Sequence, residues 1–273
     1  MRRLLVVAVV VCLALLTVSA TQAKEPAVVA LGVDVSAGSA AEQRAWNVVV
    51  LGDSGASGNG DATRLAWGGR YAGLLRHLHH RVVLTNLAAE GKSSSALLAE
   101  LRSLPTTHAA VKNADIILFG STAGANLNRA DTNLEAKRCS GEACYASELR
   151  AWARDFEQIV ATAASLRGNK ATLLRGVTDA NVVPGAEGVV PPFATVKLGL
   201  YQARTINAAV CASLKKHRGR CIDVLTAFNG ASGTEDAYAK GLMNKVECCY
   251  ASGKGQLLIA QLLVRTGLRP LRA

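Results

Sequence analysis

The feature that most constrains the fold is a regular alternation of short, β-branched apolar runs with longer amphipathic stretches. Five runs of strand length end in glycine or polar residues: 47–51, 81–86, 114–119, 171–175 and 221–224. Stretches with helical spacing lie between and after them: 67–79, 94–103, 147–166, 198–217 and 253–266. Strands that alternate with helices form parallel sheets covered by helices on both faces. The sequence therefore predicts an α/β fold, a three-layer α/β/α domain around a five-stranded parallel sheet, with long loops at 125–146 and 176–197.

The N-terminus has the pattern of an export signal. Arg2 and Arg3 precede an unbroken apolar run over 4–18, and this run is shorter than the roughly 20 residues that span a bilayer. Small residues suited to cleavage follow at 18–20 and at 21–23, so the mature chain would begin near Thr21 or Lys24. We therefore expect a signal peptide over 1–23, a poorly ordered segment over 24–45 and one domain over 46–273, secreted or held in the cell envelope with no transmembrane anchor after cleavage. An uncleaved anchor is the alternative.

The charge balance is basic. The formal net charge is +11, and removal of 1–23 with its two arginines would leave +9. Such a charge favours association with anionic envelope polymers or lipid head groups, and it also keeps an exported protein from self-associating. Nucleic-acid binding is not expected, because the basic residues are scattered and only 4% of residues are aromatic.

The cysteine pattern is typical of disulfides. Six cysteines follow the predicted signal, and an even number in an exported chain indicates pairing. Proximity in sequence favours Cys139–Cys144 and Cys211–Cys221, and it leaves Cys248 and Cys249 either bonded to each other or free. A zinc site is the weaker alternative, because there is no CxxC spacing and no histidine close by in sequence. We expect no metal and no cofactor.

The first predicted strand leads into Gly52-Asp53-Ser54, which is a candidate nucleophile turn. In open parallel sheets the ligand crevice lies at the carboxyl ends of the strands, and a serine on a tight turn there exposes its hydroxyl. The alternative is a plain turn in which Asp53 and Ser54 only cap backbone amides. The surrounding residues match neither a phosphate loop nor a GxGxxG fingerprint, and Ala56 departs from the α/β-hydrolase elbow. A trypsin-like site is excluded because no histidine precedes Ser54.

Four sequence blocks together resemble the SGNH/GDSL hydrolases. The blocks are Val48–Ser54 followed by Trp67 and Tyr71, Asn86–Ser94, Ala114–Ile117 leading to Gly124-Ala125-Asn126, and Ser252–Gly255 followed by Leu258-Ile259-Ala260. The resemblance implies a flavodoxin-like α/β architecture. It also implies a serine esterase acting on acyl or acetyl esters of lipids or envelope glycans.

The same resemblance assigns roles to individual residues. Ser54 would be the nucleophile, and the Gly91 amide and the Asn126 side chain would join the Ser54 amide as oxyanion-hole donors. The structural alternatives are a turn glycine and a loop cap. Two departures from the family pattern occur in the third block: Leu127 stands where aspartate is common, and two extra residues precede Gly124.

The last block lacks the family's Asp-x-x-His pair. Counting back from Gly255 places Tyr250 at the histidine position and Glu247 at the aspartate position. A phenol with a pKa near 10 is a poor base at neutral pH, so we expect weak ester turnover. The five histidines all fall elsewhere: His77, His79, His80, His108 and His217. Two hypotheses follow: an esterase with an unusual base, or a catalytically impaired protein that binds a glycan or acyl ligand at the cell envelope.

Overall fold

The computed structural model describes residues 44–78, 81–247 and 249–271. The predicted signal peptide and residues 24–43 lie outside this part of the chain. Within it, five strands form one sheet in the order β2-β1-β3-β4-β5, and every neighbouring pair is parallel. The strands are β1 (Trp46–Leu51), β2 (Val82–Asn86), β3 (Ile116–Phe119), β4 (Leu173–Val177) and β5 (Arg220–Ile222). The predicted three-layer parallel architecture is confirmed.

Helices connect the strands and cover both faces of the sheet. They are α1 (Ser54–Ser57), α2 (Ala66–Leu78), α3 (Ser94–Ser103), α4 (Pro105–Asn113), α5 (Gly124–Glu135), α6 (Glu142–Arg167), α7 (Val196–Lys216), α8 (Val224–Asn229) and α9 (Gly253–Arg265). The segment 176–197 is irregular from residue 178 to residue 195, as predicted.

The prediction of a loop over 125–146 is wrong. Helix α5 occupies most of this segment, and α6 begins within it at Glu142. Helix α5 is largely polar and buries only Asn126 and Ala130, so its short apolar series of Leu127, Ala130 and Leu134 was not recognised as the face of an amphipathic helix. The predicted loop over 176–197 is confirmed from residue 178 to residue 195, because its sequence is rich in glycine and proline, which interrupt regular structure.

The hydrophobic core has two halves, one on each face of the sheet. Along β1, Val48 and Val50 belong to the cluster that includes residues of α2, α8 and α9. Val49 and Leu51 belong to the other cluster, with residues of α3 and α5–α7. Successive strand residues point to opposite faces, and because both faces are covered, β1 is almost wholly apolar.

Disulfides lie beside α6 and α7. The predicted bonds Cys139–Cys144 and Cys211–Cys221 are both present; the first closes the α5–α6 connection and the second ties α7 to β5. Cys249 is also disulfide-bonded, whereas Cys248 lies outside the described residues. A search of the described helices finds none with the length and apolarity needed to cross a membrane.

Candidate functional site

A cavity of about 540 Å³ opens at the carboxyl edge of the sheet. It lies where β1, β3 and β4 end, because its wall includes residues that directly follow each of these strands. Ser54, Gly91 and Tyr250, three of the five predicted site residues, line this cavity, and Asn126 and Glu247 are not in its wall. The position agrees with the rule that open α/β sheets bind ligands at this edge.

Ser54 begins α1, three residues after the last residue of β1. Asp53 is the N-cap of this short helix, and its Oδ1 accepts a hydrogen bond from the Gly55 amide at 3.3 Å. The turn is tight because Gly52 packs on Ala56: a β-carbon at Gly52 would lie 2.6 Å from the Ala56 Cβ. The strand and the turn together hold Ser54 in the cavity wall.

Gly91 lies in the loop after β2 with φ +70°, a conformation that residues with a side chain rarely adopt. The loop is fastened to the end of β1 by two backbone hydrogen bonds, from Leu87 to Val50 and from Ala89 to Gly52. Lys92 secures its far side by donating to the Leu87 carbonyl and to Glu100, each at 2.8 Å. The Gly91 backbone is therefore held in the cavity wall beside the Ser54 turn.

Asn126 does not face the cavity. It is buried in α5, and its amide nitrogen donates at 3.1 Å both to the Glu148 carbonyl and to Glu148 Oε2. An amide NH₂ has two donors, and both are therefore used within the α5–α6 contact. Asn128, two positions further along the same helix, does line the cavity.

Glu247 and Tyr250 both contact Gly60, which lies in the loop between α1 and α2. The Glu247 carboxylate accepts from the Gly60 amide at 2.6 Å, and the Asn244 side chain donates to the Gly60 carbonyl at 3.1 Å. These bonds join the 244–247 segment to the loop between α1 and α2. Tyr250 is part of the cavity wall, and its Cβ packs against Gly60, where an added β-carbon would lie only 2.5 Å away. Glu247 is thus engaged by backbone rather than directed at position 250.

None of the histidines within the described residues lines the cavity. Those described are His77, His108 and His217, whereas His79 and His80 lie outside the described residues. The groups in the cavity wall that could accept a proton are instead carboxylates: Asp53, Glu90 and Asp179.

Asp53 and Asp179 are an electrostatically coupled pair. Burial raises the pKa of Asp53 and outweighs the hydrogen bonds from the Gly55 and Gly124 amides. Burial also raises the pKa of Asp179, to about 7, with a further contribution from the negative charge of Asp53; a hydrogen bond with Ser121 opposes the shift. Two neighbouring carboxyl groups in such surroundings resist being ionised together.

Asp179 was missed by the sequence analysis, and so was Ser121. The predicted fourth strand ended at residue 175, whereas β4 extends to Val177. With the correct end, Asp179 comes two residues after a parallel strand, which is where site residues are expected. The loop assignment was right, but the strand boundary at residue 175 placed Asp179 four residues after the strand instead of two.

Apolar side chains form much of the cavity lining. They come from β4 and the segment after it, from α7–α9 and from the 243–251 loop: Val177, Ala180, Val182, Ala203, Ile206, Val224, Phe228, Met243 and Ile259. Around the cavity and elsewhere in the described residues, no group of histidine, cysteine, aspartate or glutamate side chains has the arrangement of a metal site. The cavity lining therefore combines polar residues such as Ser54 with a larger number of apolar side chains.

Comparison with solved structures identifies the fold. The lipase Lip_vut3 from a goat rumen metagenome superposes with a TM-score of 0.68 at 19% identity, covering 83% of this chain and 100% of the lipase. A protein from Parabacteroides merdae described as a GDSL-like lipase gives a TM-score of 0.57 at 12% identity, covering 83% and 99%. The chain has the SGNH/GDSL hydrolase fold.

A third structure with this fold is an extracellular lipase from Streptomyces rimosus. It matches with a TM-score of 0.52 at 16% identity and covers 80% of this chain and 99% of its own. Neither the protein-family models nor the curated proteins compared with the chain give a match. The SGNH/GDSL resemblance seen in the sequence blocks is therefore confirmed in the fold, which persists where overall sequence similarity is low.

Proposed function

We propose that this protein is an exported serine hydrolase that cleaves carboxylic esters, with Ser54 as the nucleophile. The observation that carries the proposal is the placement of Ser54 at the end of β1, in the wall of a cavity that also contains Gly91. The relatives by fold are named as lipases, which agrees with an ester substrate. The backbone amides of Ser54 and Gly91 serve as oxyanion donors in this proposal. Asn126 is left out because both of its side-chain donors are used by Glu148.

The apolar wall indicates the kind of ester. A cavity whose lining includes Ser54 and many apolar side chains suits a substrate whose acyl chain is buried while its carbonyl reaches Ser54. Acyl esters of lipids fit this description better than acetylated glycans, since an acetyl group would leave most of the wall uncovered. An extracytoplasmic location is supported by the signal-like sequence at 1–23 and by the disulfides of the domain.

Labelling with a serine-directed fluorophosphonate tests the proposal directly. The wild-type protein should form a covalent adduct on Ser54, located by peptide mass spectrometry, and should hydrolyse p-nitrophenyl butyrate. Ser54→Ala should abolish both, while Ser57→Ala, a serine of the same short helix, should retain both. A folded wild-type protein that forms no adduct and no product would contradict the assignment.

A second candidate function is ligand binding without catalysis. It is favoured by Tyr250, which occupies the wall where the family pattern has histidine, and by Glu247, whose carboxylate is bound to the Gly60 amide. In that case an acyl ligand should quench or shift the fluorescence of Trp67 in the cavity wall while Ser54 remains unlabelled. The adduct therefore distinguishes the two functions.

A further inference from the structure

Asp179 is placed to exchange protons in the cavity that contains Ser54. Three adjacent strands, β1, β3 and β4, end at this edge, and Asp53, Ser121 and Asp179 each come two residues after their strand. Ser121 follows the middle strand and hydrogen-bonds to Asp179, and all three residues line the cavity. Asp179 is thus a partly buried residue in the wall of the cavity in which a substrate would lie.

The backbone of Asp179 is fixed from α7. The Asp179 amide donates to the Asn207 side-chain oxygen at 2.7 Å, and the Asn207 side-chain nitrogen donates to the Asp179 carbonyl at 2.9 Å. This reciprocal pair positions the residue without using its carboxyl group. The backbone is therefore held in place, and the described partner of the carboxyl group is the Ser121 hydroxyl.

The other titratable side chains in the cavity wall are poorly suited to act as a base. Asp53 is occupied as the cap of α1 and accepts from the Gly55 and Gly124 amides. Glu90 is exposed in the loop after β2. Lys92 is paired with Glu100, and Tyr250, from the loop before α9, offers a phenol and no carboxylate or imidazole.

We propose that Asp179 is the general acid–base residue of this hydrolase, in the role that imidazole has in Ser-His-Asp enzymes. The proposal rests on the esterase function proposed above, and it assigns to that site a carboxylate in place of a histidine. A general base works best when it titrates near the working pH, and burial together with the charge of Asp53 brings the pKa of Asp179 to about 7.

The proton transfers balance with Asp179 alone. The Ser54 Oγ–H proton passes to the Asp179 carboxylate while Oγ bonds to the acyl carbon. The protonated Asp179 then gives this proton to the alcohol oxygen as the ester C–O bond breaks, which leaves an acyl-enzyme. During hydrolysis of the acyl-enzyme, Asp179 takes a proton from the attacking water and gives it to Ser54 Oγ as the carboxylic acid leaves.

The test compares pH profiles of wild type, Asp179→Asn and Asp131→Asn. Asp131 is a matched control, because it is a partly buried carboxyl outside the cavity that hydrogen-bonds to Tyr145 and also has a raised pKa.

Wild-type kcat for p-nitrophenyl butyrate, and the rate of fluorophosphonate labelling, should rise with a midpoint near pH 7. Asp179→Asn should lower kcat by about 10²–10⁴-fold, the usual contribution of general acid–base catalysis, and should abolish the midpoint. Asp131→Asn should keep both.

A carboxyl titration by ¹³C NMR provides a readout that does not depend on activity. One aspartate signal should titrate near pH 7 in the wild type, be absent in Asp179→Asn, and move to lower pH in Asp53→Asn because the neighbouring charge is removed. No signal near pH 7 would overturn the proposal even if Asp179→Asn failed to fold.

The outcomes separate this proposal from the proposed function. If Asp179→Asn still labels at Ser54 and keeps the wild-type midpoint, the acid–base role is overturned and the esterase function stands. A lower kcat with an unchanged midpoint indicates only a structural role and also overturns it. If Ser54 is never labelled, the esterase function fails, and the role of Asp179 fails with it.

Discussion

At the scale of single residues, the side chains in the cavity wall determine which groups are available to take a proton from Ser54. Tyr250 lies in the wall of the same cavity as Ser54, and none of the described histidines does. The groups there that can accept a proton are carboxylates, among which Asp179 is both enclosed and held by Asn207. Proton transfer in this cavity is therefore expected to depend on β4 rather than on the loop before α9.

This difference leads to a prediction for a double variant. In the Asp179→Asn background, Tyr250→His should restore p-nitrophenyl butyrate hydrolysis by about 10-fold or more, because an imidazole titrating near pH 6.5 supplies the missing base. The recovery should be partial, since the Glu247 carboxylate is bound to the Gly60 amide and does not orient the ring. Initial rates over pH 5–9 provide the measurement. Tyr250→Phe in the same background is the control and should restore nothing.

At the scale of elements, the loop between α1 and α2 is anchored by a buried ion pair. The Arg70 guanidinium of α2 donates hydrogen bonds to both carboxylate oxygens of Asp61. The Asp61 side chain is 1% exposed and that of Arg70 is 19% exposed. Burial alone would raise the pKa of Asp61, but hydrogen bonds from Thr63 and the charge of Arg70 bring it below its ordinary value. The pair holds the same loop that contacts Glu247 and Tyr250 through Gly60.

Removing this pair should destabilise the protein. Arg70→Gln leaves the Asp61 carboxylate buried without its partner, and we expect a loss of about 3 kcal/mol in the free energy of unfolding. Lys216→Gln, which removes the exposed Lys216–Glu157 pair, should cost less than about 1 kcal/mol. Urea denaturation at pH 7 measures both, and equal losses in the two variants would contradict the anchoring role.

The pH dependence of this loss has a definite sign. A carboxyl whose pKa is lowered by folding stabilises the protein above its unfolded pKa of about 3.9, and this contribution is lost as pH falls through the folded pKa. The difference between wild type and Arg70→Gln should therefore shrink when the urea series is repeated below pH 4.

At the scale of the whole molecule, the cavity lowers the stability of the fold at neutral pH. The pKa of Asp179 is raised to about 7 by burial and by Asp53, so the folded protein retains a proton that the unfolded chain loses near pH 3.9. A group of this kind contributes its full stability below the unfolded pKa and loses it as pH rises toward the folded pKa. Asp53, whose pKa is also raised, acts in the same direction.

Asp179→Asn should therefore gain stability relative to wild type as the pH rises. Relative to wild type, its free energy of unfolding should increase progressively from about pH 4 to pH 7 and then level off. Urea denaturation at intervals between pH 4 and pH 9 measures the difference, with the exposed Glu157→Gln as control. A difference that does not vary with pH would show that Asp179 has no raised pKa in the folded protein.

The five strands, five of the nine described helices (α2, α3, α6, α7 and α9) and the two disulfides could be predicted from local properties of the chain. Buried parallel strands need continuous apolar runs such as that of β1, and short cysteine spacings bring the two thiols together whatever the remainder of the chain does. Helix α5 was not predicted, because most of its residues are polar and its apolar face consists of only three residues, Leu127, Ala130 and Leu134.

The sequence by itself determined the class of fold and the place of Ser54, since both depend on residues that are neighbours along the chain. Only the tertiary structure decided which groups surround that serine. It directed Asn126 toward Glu148 and Glu247 toward Gly60, and it brought Asp179, 125 positions away in sequence, into the cavity wall. The physical reason is that pKa values and hydrogen-bond partners arise from burial and from charges on other strands, which one-dimensional spacing does not encode.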